Sequence, residues 1–234
     1  MNKKFKVREH KLIDENMPFS VVEAYKAIRT NLIFVLGAKN INSTVFTSYG
    51  AMEGKTSTCA NLAITFAQSG AKVLLIDADM RKPQLHRLFG CNMTPGLSEV
   101  LCGVVDDNSI QKTNYDNLYV MTCGKIPPNP ADLLLSTNLD KLIESMSKAF
   151  DYVFFDAPPV GLVTDGAIIA RKLGGAIVTV RSECATTEDV RETRDALAQA
   201  GTEAIGYILT DVKDENRRGY RAHSASYRKY YTSY

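Results

Sequence analysis

Apolar positions along the chain fall into two alternating periods. Residues 20–36 carry Val21, Tyr25, Ile28 and Leu32 at three- to four-residue spacing, which predicts an amphipathic helix with Ser20 placed to cap its first turn. "STVFTS" (43–48) is a short continuous run with strand character. Helical spacing returns over 55–70, with Leu62, Ala63, Phe66 and Ala67 on one side and Gly70 as the stop. "AKVLLIDAD" (71–79) predicts a buried strand, and residues 83–110 read as turns and short helical pieces around "NMTPGLSEVL". "NLYVMTCG", "DYVFFDAPP", "GAIVTVR" and "EAIGYILTD" are four more runs, with helical stretches near 137–150 and over 186–200. Six continuous apolar strands alternating with helices predict an α/β fold: a mostly parallel sheet, helices on both faces.

Composition sets limits on this picture. A chain of 234 residues, 45% apolar, suffices for one such domain with a large core. No apolar run reaches the roughly 18 residues of a membrane span. The five cysteines are scattered and form no C-x-x-C pair, which points to a reducing compartment without a disulfide framework or zinc site. The expectation is a soluble, cytoplasmic protein. The net charge of +2 conceals a division: the last 18 residues hold five Lys/Arg and no acid, leaving 23 basic against 26 acidic residues elsewhere. A basic tail on a mildly acidic body suits nucleic acid, a membrane surface or another copy of the chain. The apolar periodicity stops near residue 213, so the expected organisation is an N-terminal extension (1–19), a main domain (20–212) and a flexible tail (213–234).

The candidate chemistry lies at strand ends. "TSYGAMEGKTS" ends in Gly54-Lys55-Thr56 between a strand and a helix, where backbone N–H groups and the helix N-terminus can receive a polyphosphate. Tyr49 stands where the G-x-x-x-x-G-K-[ST] pattern has its leading glycine. "VLLIDADMR" ends in Asp77 and Asp79, and "YVFFDAPP" ends its strand in Asp156. Ligands collect at the carboxyl ends of parallel strands, so the three acids can share a crevice with the loop. Alone, each acid reads as a turn-former and Lys55 as a solvated lysine; together they predict a Mg²⁺–nucleotide site on a P-loop NTPase-like fold. Lys55 would reach the outer phosphates, Thr56 would bind Mg²⁺ directly, and Asp79 and Asp156 would hold the metal, through water. Arg81 would steady the phosphates or the acidic pair. Gly50, Ala51, Met52, Glu53, Gly54 and Ser57 complete the loop, and the Met52 side chain would crowd the phosphates if φ must be positive there.

These motifs resemble those of the bacterial tyrosine kinases (BY-kinases). "SYGAMEGKTS" resembles the family's Walker A loop, "VLLIDADMR" its second acidic motif, D-x-D-x-R, and "VFFDAPP" its Walker B. The fourth element is a C-terminus in which Tyr220, Tyr227, Tyr230, Tyr231 and Tyr234 fall within 15 residues among Arg, Lys, Ser and Gly. The likeness covers roughly residues 20–234. It implies an ATP- and Mg²⁺-dependent protein-tyrosine autokinase of capsule or exopolysaccharide synthesis, acting in trans on those five tyrosines. Asp77 becomes the implied base for the tyrosine hydroxyl, and Thr210, where the family often has Asn, the implied residue beside the adenine. Glu23, Lys26 and Arg29 stand in for the family's E-x-x-R-x-x-R, which helps ring-shaped homo-oligomers assemble; one arginine is here a lysine, without a bidentate fork. The resemblance is to the split, two-chain arrangement. It implies a transmembrane polysaccharide co-polymerase as activator, a cognate phosphotyrosine phosphatase, peripheral placement at the inner face of the membrane and no nucleic-acid partner.

Two other readings fit part of the pattern. One is a deviant P-loop ATPase acting as a dimerising positional switch, although Gly50 occupies the place of that group's signature lysine. The other is a nucleotide-binding regulatory subunit weakened by Met52.

Overall fold

The computed structural model describes residues 12–14, 16–105 and 109–212. Among them a seven-stranded sheet runs in the order β3-β4-β2-β5-β1-β6-β7. The strands are β1 (Ser43–Ser48), β2 (Val73–Asp77), β3 (Ile110–Lys112), β4 (Leu118–Met121), β5 (Tyr152–Asp156), β6 (Ala176–Arg181) and β7 (Ala204–Thr210). Every neighbouring pair is parallel except β3 with β4. The helices are α1 (Phe19–Ala38), α2 (Lys55–Gln68), α3 (Leu85–Phe89), α4 (Leu97–Leu101), α5 (Pro130–Leu135), α6 (Thr137–Ala149), α7 (Asp165–Leu173) and α8 (Thr187–Gln199).

Strand alternation divides the core into two layers. Phe46, Phe154, Val73 and Leu75 face α1, α2 and α3; Val45, Val153, Phe155, Leu74 and Ile76 face α4 to α8. In the first layer Phe154 meets Phe46 and Phe66 edge to face, with centroids 5.5 and 5.2 Å apart. Each such buried ring contributes on the order of 2–3 kcal/mol. Nearly every side chain of α2 is buried, so the helix that carries Lys55 is clamped between the sheet and α1.

Three details depart from the periodicity reading. Pro18, not Ser20, sits at the start of α1; its carbonyl accepts from Val21 and Val22, and no side chain caps the helix. The seventh strand, β3, is a three-residue antiparallel edge too short to produce an apolar run. Helix α7 connects β5 to β6, the crossover that two parallel strands require. Part of the N-terminal extension docks on the domain: Ile13 is buried and its N–H donates to Asn61 Oδ1 on α2 at 2.9 Å. The rest of that extension and residues 213–234, with all five candidate acceptor tyrosines, lie outside the described residues.

Candidate functional site

Parallel register brings the acidic strand ends together. Asp156 on β5 pairs in register with Phe46 on β1 and Asp77 on β2, so the loop after β1 and both acidic motifs open at one edge of the sheet. Gly54, with φ of 85°, turns the chain from that loop into α2 and places Lys55 and Thr56 in its first turn. Lys55 Nζ lies 2.6 Å from Asp156 Oδ1 and 3.6 Å from Asp79 Oδ2. The Thr56 hydroxyl donates to Asp156 Oδ2 at 2.7 Å. Lys55, Thr56, Asp77, Asp79 and Asp156 are all buried. The expected convergence is therefore present.

The charges do not balance within the protein. Burial lowers the Lys55 ammonium, but Asp156, Asp79 and Asp77 outweigh it and hold its pKa above the ordinary lysine value. Burial also pushes the Asp77 carboxyl up to about 7, assisted by the neighbouring Asp156 and opposed by N–H groups of Leu85 and Gln84. Those two N–H groups donate to Asp77 Oδ2 at 2.9 and 3.0 Å, so Asp77 also caps α3 from the end of β2. Asp79 Oδ1 accepts from the N–H of Lys82 at 3.0 Å and of Arg81 at 3.3 Å. Three carboxylates around one ammonium leave room for a further cation. The donors available, a threonine hydroxyl and carboxylate oxygens, suit Mg²⁺, which keeps several waters and binds through few protein groups. No group of three or more His, Cys, Asp or Glu forms an all-protein metal site among the described residues.

Tyr49 occupies the leading-glycine position without strain, because its φ is not positive; the loop's left-handed residues are Met52 (φ 63°) and Gly54. The Tyr49 ring packs on Gly161, its carbonyl accepts from Gly161 N–H at 3.1 Å, and its hydroxyl donates to Glu192 on α8. Met52, at positive φ, is 57% exposed. Glu53 closes the loop: its Oε1 accepts from Gly50 N–H at 2.6 Å, and its buried Oε2 has no hydrogen-bond partner. Thr210, at the end of β7, donates to Glu53 O at 2.8 Å and approaches Gly54.

Four of the expected residues have partners within the chain. Arg81 forks onto Asp165, the first residue of α7, instead of the acidic pair. On α1, Glu23 pairs with Lys26 at 2.8 Å, while Arg29 Nη1 donates to Thr65 O of α2 at 2.8 Å. Sequence reasoning missed Asp165 and also Arg181, which bonds Asp211 at 2.9 Å and the Met52 carbonyl at 3.3 Å. Arg181 could have been found by the strand-end rule, since it closes β6 at the same edge. A groove of about 600 Å³ between α5, α7 and α8 shares no residue with this site.

A loop leading into a buried helix, with acids at two adjacent strand ends, defines a P-loop nucleotide-binding domain. Residues 50–197 match the model of the AAA domain family. The chain is 39% identical over 192 residues to tyrosine-protein kinase YwqD of Bacillus subtilis, across 82% of this chain and 81% of that protein. Among solved structures it resembles the kinase domain of Escherichia coli tyrosine kinase ETK, with a TM-score of 0.80, 34% identity and coverage of 91% and 87%. The fold is shared more distantly with the Pyrococcus furiosus cell division ATPase MinD, at a TM-score of 0.61, 26% identity and coverage of 72% and 71%. The chain belongs to the bacterial tyrosine-protein kinases and is an enzyme of that class.

Proposed function

We propose that this kinase transfers the γ-phosphoryl group of Mg-ATP to its own C-terminal tyrosines, one copy acting on the next, in the control of capsule or exopolysaccharide synthesis. The observation that carries the reading is the convergence of Lys55, Thr56, Asp79 and Asp156 at adjoining strand ends, with Asp77 beside them. Phosphoryl transfer needs positioning and charge neutralisation more than covalent chemistry. Lys55 exchanges its contact with Asp156 for the β- and γ-phosphates. Thr56, Asp79 and Asp156 would hold Mg²⁺, and the chemistry it would supply there is neutralisation of phosphoryl charge. Asp77, with its raised pKa, accepts the proton of the incoming tyrosine hydroxyl. Gly50, Ala51, Met52, Glu53, Gly54 and Ser57 form the phosphate loop, and Thr210 borders the base.

The wider setting follows from the family resemblance. A transmembrane co-polymerase would recruit the kinase to the inner face of the membrane and activate it; among the described residues no helix is long and apolar enough to cross a bilayer. Glu23, Lys26 and Arg29 would contribute to ring assembly, and a phosphotyrosine phosphatase would reset the tail. The test is phosphopeptide mapping by mass spectrometry after incubation with Mg-ATP and the membrane partner. An active chain truncated at residue 212 is mixed with full-length Lys55→Met, and the tail of the latter should gain phosphotyrosine. Lys55→Met alone should gain none. Undiminished labelling of that variant alone would remove Lys55 from the mechanism, and no labelling in the mixture would refute transfer between copies.

A further inference from the structure

We infer that Asp165 is a positioning residue for the phosphoryl-transfer site: it anchors Arg81, and through Arg81 the turn that aims the Asp79 carboxylate. The inference rests on the Mg-nucleotide reading of Lys55, Thr56, Asp79 and Asp156 and extends it to α7, which contributes no residue to the expected site.

Asp165 is fully buried, and a carboxylate there needs a specific partner. Arg81 supplies it in fork geometry, Nε to Oδ2 at 2.9 Å and Nη2 to Oδ1 at 3.1 Å. The N-terminus of α7 also favours the negative charge. The anchor is rigid. Gly166, the next residue, lies so close to Thr47 Oγ1 and Pro158 O that a Cβ would stand 3.0 and 3.1 Å from them, which presses the start of α7 against β1 and the loop after β5.

At its other end Arg81 belongs to the turn after β2. Its own N–H and that of Lys82 donate to Asp79 Oδ1, while Asp79 Oδ2 faces Lys55 Nζ at 3.6 Å. The direction of Oδ2 therefore depends on where residues 81 and 82 sit, and Arg81 ties them to α7. A continuous line runs from Asp165 through the Arg81 fork and the turn to Asp79 and Lys55. Partners that orient a metal-binding carboxylate in this way commonly change metal affinity by roughly 10–100-fold when removed. A purely structural ion pair would affect folding and leave magnesium dependence unchanged.

The experiment is equilibrium binding of a fluorescent ADP analogue over a series of magnesium concentrations. It compares wild type, Asp165→Asn, Arg81→Lys, Asp79→Asn and the Asp165→Asn/Asp79→Asn double variant, each with its melting temperature. Arg81 is about half exposed, so Arg81→Lys keeps the charge, loses the fork and guards against failure of Asp165→Asn to fold. Asp165→Asn and Arg81→Lys should each raise the half-saturating magnesium concentration roughly tenfold, and Asp165→Asn should leave nucleotide affinity in chelator unchanged. The double variant should be no worse than Asp79→Asn alone. Wild-type magnesium dependence in both single variants, or additive losses in the double variant, overturns the positioning role while the site reading stands. If wild type itself binds nucleotide without regard to magnesium, the site reading falls and the inference with it.

Discussion

Lys55→Met should destabilise the nucleotide-free protein, and the size of the loss follows from what Lys55 holds. Methionine roughly fills the stem volume and removes the ammonium, so packing changes little. The consequence is electrostatic. Asp156 is 1% exposed and loses a 2.6 Å ion pair; Asp79 loses a 3.6 Å one; Asp77, wholly buried beside Asp156, loses a nearby positive charge. Removing one partner of a buried pair costs about 3–5 kcal/mol. For a chain of this size that lowers the melting temperature by roughly 6–20 °C. Asp156→Asn in the same chain removes one stranded charge and should recover most of the loss. Acid should also relieve it, because a protonated Asp156 needs no counter-ion: the gap from wild type should be smaller at pH 5.5 than at pH 7.5. Urea denaturation of wild type, Lys55→Met and Lys55→Met/Asp156→Asn at both pH values measures each quantity. A Lys55→Met protein within about 1 kcal/mol of wild type at pH 7.5 would refute the reasoning, since the acids would then not depend on Lys55.

Other outcomes follow from single observations. Asp77 has a folded-state pKa raised from 3.8 to about 7, so between those values the native protein keeps a proton that the unfolded chain releases. Stability of the nucleotide-free protein should fall by up to about 4 kcal/mol as pH rises through that window, and Asp77→Asn should flatten the slope; an unchanged slope in denaturation would show that Asp77 does not titrate there. Gly161→Ala would place a methyl 2.6 Å from both the Tyr49 ring and the Tyr49 carbonyl, costing about 1–3 kcal/mol. Tyr49→Ala should rescue it only in part, because the carbonyl remains; full rescue in thermal melts would contradict this. Phosphorylation adds about −1.5 to −2 charge per tyrosine, so three phosphates bring roughly −4.5 to −6 and offset the five basic residues of the last 18. Light scattering should then give a smaller mass for the phosphorylated form, and equal masses would end the idea of a charge switch.

The fold was legible wherever burial on both faces wrote itself into the sequence. β2, β5 and β6 are nearly continuous apolar runs because helices cover both sides of the sheet centre, as the two core layers show; β1 is buried along its whole length, but only Val45 and Phe46 of its six residues are apolar and the rest are Ser and Thr. Helix α7 escaped for a different reason: it is only nine residues long, and its basic residues, Arg171 and Lys172, fall together in the last turn before Gly174, Gly175 and β6, so too few turns exist to establish a helical period. β3 failed because its residues are half-buried or exposed and pair with only one strand.

The site divides along a different physical line. Lys55, Thr56, Asp77, Asp79 and Asp156 could be gathered from sequence because each stands at or just beyond the end of an apolar run or opens the helix after it, and parallel strands end at one edge. Asp165, Arg181 and Glu192 reach the loop or its supports across 84, 129 and 143 residues of sequence, by contacts that exist only once α7, β6 and α8 are in place. A deviant loop is tolerable for the same reason. Glycine is favoured where φ is positive, and here positive φ falls at Gly54 and at Met52, while Tyr49 keeps an ordinary φ and uses its side chain to join the loop, Gly161 and α8. Replacing the leading glycine therefore costs this loop no backbone conformation and adds two contacts, so the pattern G-x-x-x-x-G-K-[ST] describes one way of building the cradle and does not define it.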